Sequence, residues 1–343
     1  MDSLKLLKDL TLAAGISGHE SSVTKIMQDT LTGMDYTTDR MGNITFIKQG
    51  SAEGKKILFI AHQDEIGFIV SDILPQGFLQ IQSIGGWDAN TLLSSPVDII
   101  NKNGERIPGI IGSVPVHFQT GTNTGPNIDA MFIDIGASSS EKVLSAFGIE
   151  LGAPVIPVCR FHHVPSSDRL FSKAFDDRAG VAALVETGLL IKDIKLKNTI
   201  YLCGSVQEEV GTRGATAVAG YTDADVCIVL EGAPADDIPG IPGNAQTCVG
   251  KGVHLRLFDP TMIVPHKLSS QIRKIAHTHD IPVQVTVRKR GGTDGRQIHT
   301  ANHGIPTIVL GVPVRFAHSH NCHISLADYR NLVKLCMAIA ENL

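Results

Sequence analysis

Five places in this 343-residue chain set a histidine or a carboxylate beside an apolar run. KILFIA (56–61) leads into His62-Gln63-Asp64-Glu65, and TIYLCGSV (199–206) into Gln207-Glu208-Glu209. DVCIVL (225–230) ends at Glu231, TIVLGVPVRFA (307–317) leads to His318, and Asp176-Asp177 directly precede a helical stretch at 179–192. In open α/β sheets, functional groups gather just past the carboxyl ends of strands. Imidazole nitrogen and carboxylate oxygen suit zinc and similar divalent ions, with no thiolate required. Each signal alone has a bland reading: an HxD after a strand is usually a capped turn, and a Glu-Glu pair is usually solvated surface. Adjacent charges after a buried strand are costly without a partner, however. Together the five point to a metal site.

The spacing suits two metals. Two ions roughly 3.5–4 Å apart need a bridging carboxylate and a separate ligand set for each. One Asp, two other carboxylates and two His residues meet that need. Glu208 then stays free beside ligand Glu209, where a carboxylate next to bound water works as a general base. Asp64 is spaced to accept the other ring N–H of His62 and so to fix its tautomer. His320 and His323 crowd the loop of His318. His117 reads as a surface or interface residue. Asp294 lies in GGTDG, a turn that makes backbone sense without any function. Neither GG pair belongs to a nucleotide-binding motif.

The elements that must position these groups follow from periodicity. Residues 3–14 read as an amphipathic helix, and Ser21 or Ser22 caps a second helix to Leu31. Residues 35–48 form a hairpin turning at Met41-Gly42-Asn43. KILFIA is a strand covered on both faces. From about 72 to 165, short strand-like pieces follow one another with Gly, Pro and Asn between them, and a short helix near Glu141–Phe147 is the only interruption. This reads as a small all-β barrel inserted into the first domain. From 170 onward strands and helices alternate: helix 179–192, strands 199–206 and 225–230, helix 265–279, strands 282–287 and 306–310, and a closing helix 326–343. The fold class is therefore α/β: a mixed, mostly parallel sheet sandwiched by helices, with an inserted barrel. Residues 1–71 and 166–343 make the catalytic domain, and 72–165 the insertion.

Bulk properties agree. A hydrophobic fraction of 43% supplies a full core, and the length suggests about two domains. A formal charge of −4 and 5% aromatics give no reason to expect nucleic acid or an anionic membrane as partner. The six cysteines include no CxxC pair and read as reduced thiols of a cytoplasmic protein. The N-terminus lacks a signal-peptide pattern, and no apolar run approaches the roughly 20 residues of a membrane span.

At these residues the chain resembles the tetrahedral aminopeptidases, a group of co-catalytic metallopeptidases that includes glutamyl and deblocking aminopeptidases. The resemblance covers nearly the whole chain. It is carried by AHQDEIGF (61–68), GGWD (85–88), IPGIIGSVPVH (107–117), FIDIGASS (132–139), KAFDDRAG (173–180), VQEEVGTRGA (206–215), LEGAPADDIPG (230–240), GGTDG (291–295) and IPTIVLGVPVRFAHS (305–319). It implies a zinc-peptidase-like fold and two divalent ions per subunit, zinc or cobalt, with manganese also suited. His62 matches the first terminal ligand and Asp64 the acid that orients it. Asp176 matches the bridging carboxylate; Asp177 follows it, where the related fold commonly has a cis peptide. Glu208 matches the general base, Glu209 and Glu231 the carboxylate ligands, and His318 the C-terminal His ligand. Many members have Asp where Glu231 stands. No role maps onto His320 or His323. Asp294 lies near the substrate side in relatives. The implied partners are peptide substrates and the chain itself, as a dimer assembled into a dodecamer through the barrel.

Three other readings compete. A deacylase or dipeptidase of the wider two-metal group would share the ligand set, but those relatives carry an α/β lid. Glycoside hydrolysis needs a paired acid and nucleophile or base instead of metal ligands. An inactive scaffold is disfavoured because no metal or base position is lost. The sequence leaves open the native metal, the preferred N-terminal residue and whether Asp176 or Asp177 bridges.

Overall fold

Every residue of TIVLGVPV is buried, and so is all of VCIVLEGAP except its last. A strand with no exposed face must lie inside a sheet that is covered on both sides. The computed structural model, which describes residues 2–118 and 125–343, shows that arrangement.

Helices α1 (Ser3–Leu12) and α2 (Ser21–Thr30) precede β1 (Asp35–Thr38), β2 (Ile44–Lys48) and β3 (Lys56–His62). Six strands follow: β4 (Gly67–Ile73), β5 (Leu79–Ile84), β6 (Pro96–Ile100), β7 (Arg106–Ile111), β8 (Phe132–Asp134) and, after helix α3 (Ser140–Ser145), β9 (Pro154–Pro157). Then come β10 (His162–Val164), β11 (Arg169–Ser172), α4 (Phe175–Ile191), β12 (Thr199–Ser205), α5 (Arg213–Ala219) and β13 (Val226–Pro234). The chain finishes with β14 (Val253–Asp259), β15 (Met262–Ile263), α6 (His266–Thr278), β16 (Val283–Val287), α7 (Gly295–Ile298), β17 (Thr307–Val314), β18 (Cys322–Ser325) and α8 (Leu326–Asn342).

The main sheet runs β1-β2-β12-β3-β13-β17-β14-β15, with β16 paired to β14. Its centre, β12-β3-β13-β17, is parallel throughout, so four carboxyl ends share one edge. Register then sets what meets there. Ser205 is level with His62, and the pair Val229–Ile60 carries Glu231 to the level of His62 two residues on. Helix α4 packs on β3 and β13 and against α1 and α8. Its residues are apolar nearly all round, as suits a helix inside the molecule. Strands β4-β5-β8-β7-β6-β9 close into an antiparallel barrel. The barrel has a core of its own, built from residues such as Phe68, Ile81, Ile99, Ile133 and Val155, separate from the core of the sheet.

Several local expectations change. Neither Ser21 nor Ser22 caps α2. Glu20 holds the cap position, and its carboxylate accepts instead from the backbone N–H of Gly18 (2.7 Å) and of Gln207 (3.1 Å). The strands read as 225–230 and 306–310 continue to Pro234 and Val314, because each pairs with the other along its full length. The sequence reading missed β14, whose His254 and Arg256 interrupt the apolar pattern of VHLRLFD, and also missed α5. All six cysteines are free. Among the described residues no helix is long and apolar enough to cross a membrane.

Candidate active site

His62 ends β3 with its side chain buried. Its ring Nδ1–H donates to the backbone carbonyl of Asp64 at 3.1 Å, which leaves Nε2 turned toward a group of carboxylates. Nε2 lies 3.1 Å from Asp176 Oδ1, 3.4 Å from Glu231 Oε1 and 4.0 Å from Glu208 Oε2. The Asp64 carboxylate, read from sequence as the ring's partner, stands farther off at 3.5 Å. Three other donors occupy it: the Ser17 hydroxyl (2.6 Å) and the backbone N–H groups of Glu208 (2.9 Å) and Glu209 (3.1 Å). Asp64 therefore ties the turn after β12 to the end of β3.

His318 approaches from the loop after β17. Its Nδ1–H donates to the Gly86 carbonyl at 2.8 Å, so the barrel end of the chain sets this imidazole's orientation. A Cβ at Gly86 would lie 3.4 Å from Nδ1, at the short edge of ordinary van der Waals contact. His318 Nε2 is 3.5 Å from Glu209 Oε2 and 3.6 Å from Asp176 Oδ2.

Asp176 thus turns one oxygen to each histidine. It sits before the regular part of α4, where the backbone of Asp176 and Asp177 is non-helical and the peptide between them is cis. Gly232, next to Glu231, lets this backbone come close: a Cβ there would meet Asp176 Cα at 2.5 Å. Asp177 faces elsewhere. Its carboxylate accepts from the backbone N–H of His62 (3.2 Å) and of Gly180 (2.9 Å). Potential ligand atoms cluster as His62–Asp176–Glu231, as Asp176–Glu209–His318 and as His62–Glu208–Glu209.

The remaining histidines lie outside these clusters. His320 packs its ring 5.4 Å from Trp87, and His323 stacks on Phe171 at 5.1 Å. His117 is exposed in a short turn beyond β7. Asp294 is buried and accepts a hydrogen bond from the Ser205 hydroxyl; burial, with Asp64 and Glu231 nearby, pushes its pKa up to about 7. Sequence reasoning missed Ser17 and Gly86. A serine leaves little signal and a backbone carbonyl leaves none, although GGWD was noticed as a motif.

The electrostatics test whether a metal fits. Burial, then Glu231, Asp294 and Glu209 against the pull of His62, raises Glu208 well above its ordinary value. Burial, then Asp176 and Asp64 against His318 and His62, pushes Glu209 up to about 8. Glu231 is raised by burial and by Asp176. Burial disfavours a charged His318, but Asp176 and Glu209 outweigh it and lift the imidazole to about 10. Four carboxylates share two imidazoles in a desolvated space, a donor set that divalent cations would neutralise. The residues present fit such ions.

Comparison with known proteins agrees with this geometry. A family model described as M42 glutamyl aminopeptidase matches residues 42–335. A putative aminopeptidase, FrvX, of Escherichia coli (strain K12) is 36% identical over 338 residues, covering 97% of this chain and 93% of its own. The TET aminopeptidase structure from the marine sediment archaeon Thaumarchaeota archaeon SCGC AB-539-E09 superposes with a TM-score of 0.95 at 36% identity, covering 99% and 97%. A Pyrococcus horikoshii TET1 peptidase, described as assembling into a tetrahedron or a large octahedral shell, superposes at 0.89 with 28% identity, covering all of both chains. A parallel sheet that gathers acids and histidines at one edge, an inserted barrel that orients one of them, and these likenesses along the full length place the chain in the M42 glutamyl aminopeptidase family of peptide-bond hydrolases.

Proposed function

We propose that this protein is a cytoplasmic aminopeptidase that uses two divalent ions, zinc or cobalt with manganese as a third choice, to remove N-terminal residues from peptides. The observation that carries the reading is Asp176, with one oxygen toward His62 and the other toward His318. In this reading Asp176, His62 and Glu231 would hold one ion, and Asp176, Glu209 and His318 would hold the other. The ions, when bound, supply Lewis acidity that polarises the scissile carbonyl and acidifies water.

The chain's own residues supply the rest. Glu208 borders the cleft outside the two sets that share Asp176. It takes the proton from the attacking water and passes it to the leaving amine. Asp64 acts by position: it holds the backbone of Glu208 and Glu209 while its own carbonyl fixes the His62 ring. The carboxylates receive the substrate's α-amino group, which confines cleavage to N-termini. Glu208→Gln should lower kcat by about 10²–10⁴-fold while metal content, measured by elemental analysis, stays at the wild-type level. Near-normal activity with metal retained would remove Glu208 from the base role.

Residues 1–71 and 166–343 form the catalytic unit in this reading, and 72–165 the assembly domain, although the first barrel strand, β4, already begins at Gly67. A closed barrel in place of an α/β lid supports the aminopeptidase reading over a dipeptidase or deacylase. Exposed Ile110 and Leu151 on the insertion suit contacts between subunits. We expect a dimer that builds a dodecamer, which light scattering would size. Free cysteines suit a reducing cytoplasm.

A further inference from the structure

Among the described residues, three groups of ligand atoms are close enough to hold an ion, and the reading above uses two of them. The third is His62–Glu208–Glu209. The three overlap in a ring. His62–Asp176–Glu231 shares Asp176 with Asp176–Glu209–His318, that set shares Glu209 with the third, and the third shares His62 with the first.

A shared carboxylate and a shared imidazole are not equivalent. A carboxylate has two oxygens and can serve two ions at once. His62 Nδ1 faces the Asp64 carbonyl, which only accepts, so Nδ1 carries the hydrogen and Nε2 holds the one lone pair the ring can give. The sets that share Asp176 can therefore be filled together, and so can the sets that share Glu209. The sets that share His62 exclude each other. An ion on His62 Nε2 has a choice of partners: Asp176 and Glu231, or Glu208 and Glu209.

The distances allow both. Zinc lies about 2.0–2.2 Å from nitrogen and oxygen ligands, so two ligands of one ion are at most about 4.3 Å apart. From His62 Nε2, Asp176 Oδ1 is at 3.1 Å, Glu231 Oε1 at 3.4 Å and Glu208 Oε2 at 4.0 Å. The third set is also held in place by a single residue. Asp64 accepts from the His62 ring through its carbonyl, and from the backbone N–H groups of Glu208 and Glu209 through its carboxylate.

Resting on the two-ion reading, we infer that Glu208 and Glu209 form with His62 an alternative seat for the His62 ion, and that an ion there idles the enzyme. Glu208 then gives its lone pair to the metal and is no longer free to take a proton from water. The protein has one productive and one idle arrangement of two ions, and the competition between Glu231 and Glu208 decides which is filled.

Overall affinity for two zinc ions, the product of the two dissociation constants, tests this without reference to activity. Competition with a chelating dye would read it in wild type, Glu208→Gln, Glu231→Gln and the double variant. In the wild type, Glu208→Gln should change the product little, because Asp176 and Glu231 still hold the His62 ion. In the Glu231→Gln background the same substitution should weaken binding by roughly tenfold more, because the idle seat is the one left. A carboxylate that acts through its charge alone would weaken binding by the same factor in both backgrounds, and equal factors overturn the inference. With two ions bound to the wild type, that result leaves the two-ion reading standing. If the wild type binds fewer than two, the two-ion reading falls and the inference falls with it.

Discussion

Two buried charge clusters lie side by side in this protein, and they are built on opposite principles. In one, Glu65 is held by Lys173, with Nζ 2.5 Å from its carboxylate, and by Arg178 at 3.5 Å. All three side chains are almost fully buried, and Arg178 also donates to the carbonyls of Leu10 (2.6 Å) and Gly15 (3.0 Å). That cluster satisfies its own anion and fastens the N-terminal segment to the start of α4. In the other, Asp176, Glu208, Glu209 and Glu231 share only His62 and His318. Buried charge that is neutralised from within holds a structure together. Buried charge left in excess calls for something from outside. Glu65 and Lys173 line only a small cavity behind Asp176, Glu209 and His318, whereas the uncompensated carboxylates line the main cleft.

Similar substitutions should therefore act with opposite sign in the two places. Lys173→Met leaves Glu65 short of a partner in a buried site, and breaking a buried pair in this way costs about 3–5 kcal/mol of folding stability. Urea unfolding would read it as a lower midpoint at an unchanged slope. Glu208→Gln in the metal-free protein should instead raise the midpoint. The glutamine removes a carboxyl group that burial and its neighbours hold well above its ordinary pKa, and each pKa unit removed is worth about 1.4 kcal/mol. If both variants lose stability alike, the two clusters do not differ in kind.

The difference also explains what could be read from the chain. The candidate site groups were legible because each is a chemically distinctive residue at the end of an apolar run, and a parallel sheet brings such ends together. The compensated cluster was not legible. Glu65, Lys173 and Arg178 lie far apart in sequence, and nothing local marks a lysine that will be paired in the core. The barrel was read from its short strands and turns. Strand β14 was missed because buried His254 and Arg256 break its apolar pattern. In the proposed reading the choice between Asp176 and Asp177 rests on side-chain direction: adjacent positions in an irregular backbone face different ways, and residue type does not record which.

The link between the N-terminal segment and the site can be broken more gently. The Ser17 hydroxyl is one of three donors to Asp64, and Asp64 positions the turn of Glu208 and Glu209. Loss of a contact that orients ligands lowers metal affinity by about 10–100-fold. Ser17→Ala should show that loss in competition with a chelating dye, with little change in the urea midpoint. Unchanged affinity would mean that the two backbone donors alone hold Asp64 in place.

A third buried group sharpens the contrast, because its charge is avoided instead of balanced. His254 on β14 bonds the Thr247 hydroxyl through Nδ1 at 3.0 Å, and its Nε2 accepts from Arg256 Nε at 3.5 Å. Burial, then the positive charges of Arg256 and Arg288, lowers its pKa well below 6.5. The imidazole is thus neutral when folded, while in the unfolded chain it gains a proton as pH falls through its ordinary range. The stability this contributes is complete above about pH 6.5 and drains away below it, by at most about 1.4 kcal/mol per pH unit for one proton. His254→Asn removes the proton uptake, so below pH 6.5 the wild type should lose stability more steeply than the variant, while above it the two should run parallel. Equal slopes would mean that the imidazole is already charged in the folded protein. The surroundings of Arg256 and Arg288 would then tolerate one more buried positive charge, and that region would no longer differ from the self-neutralised cluster around Glu65 in how it handles burial.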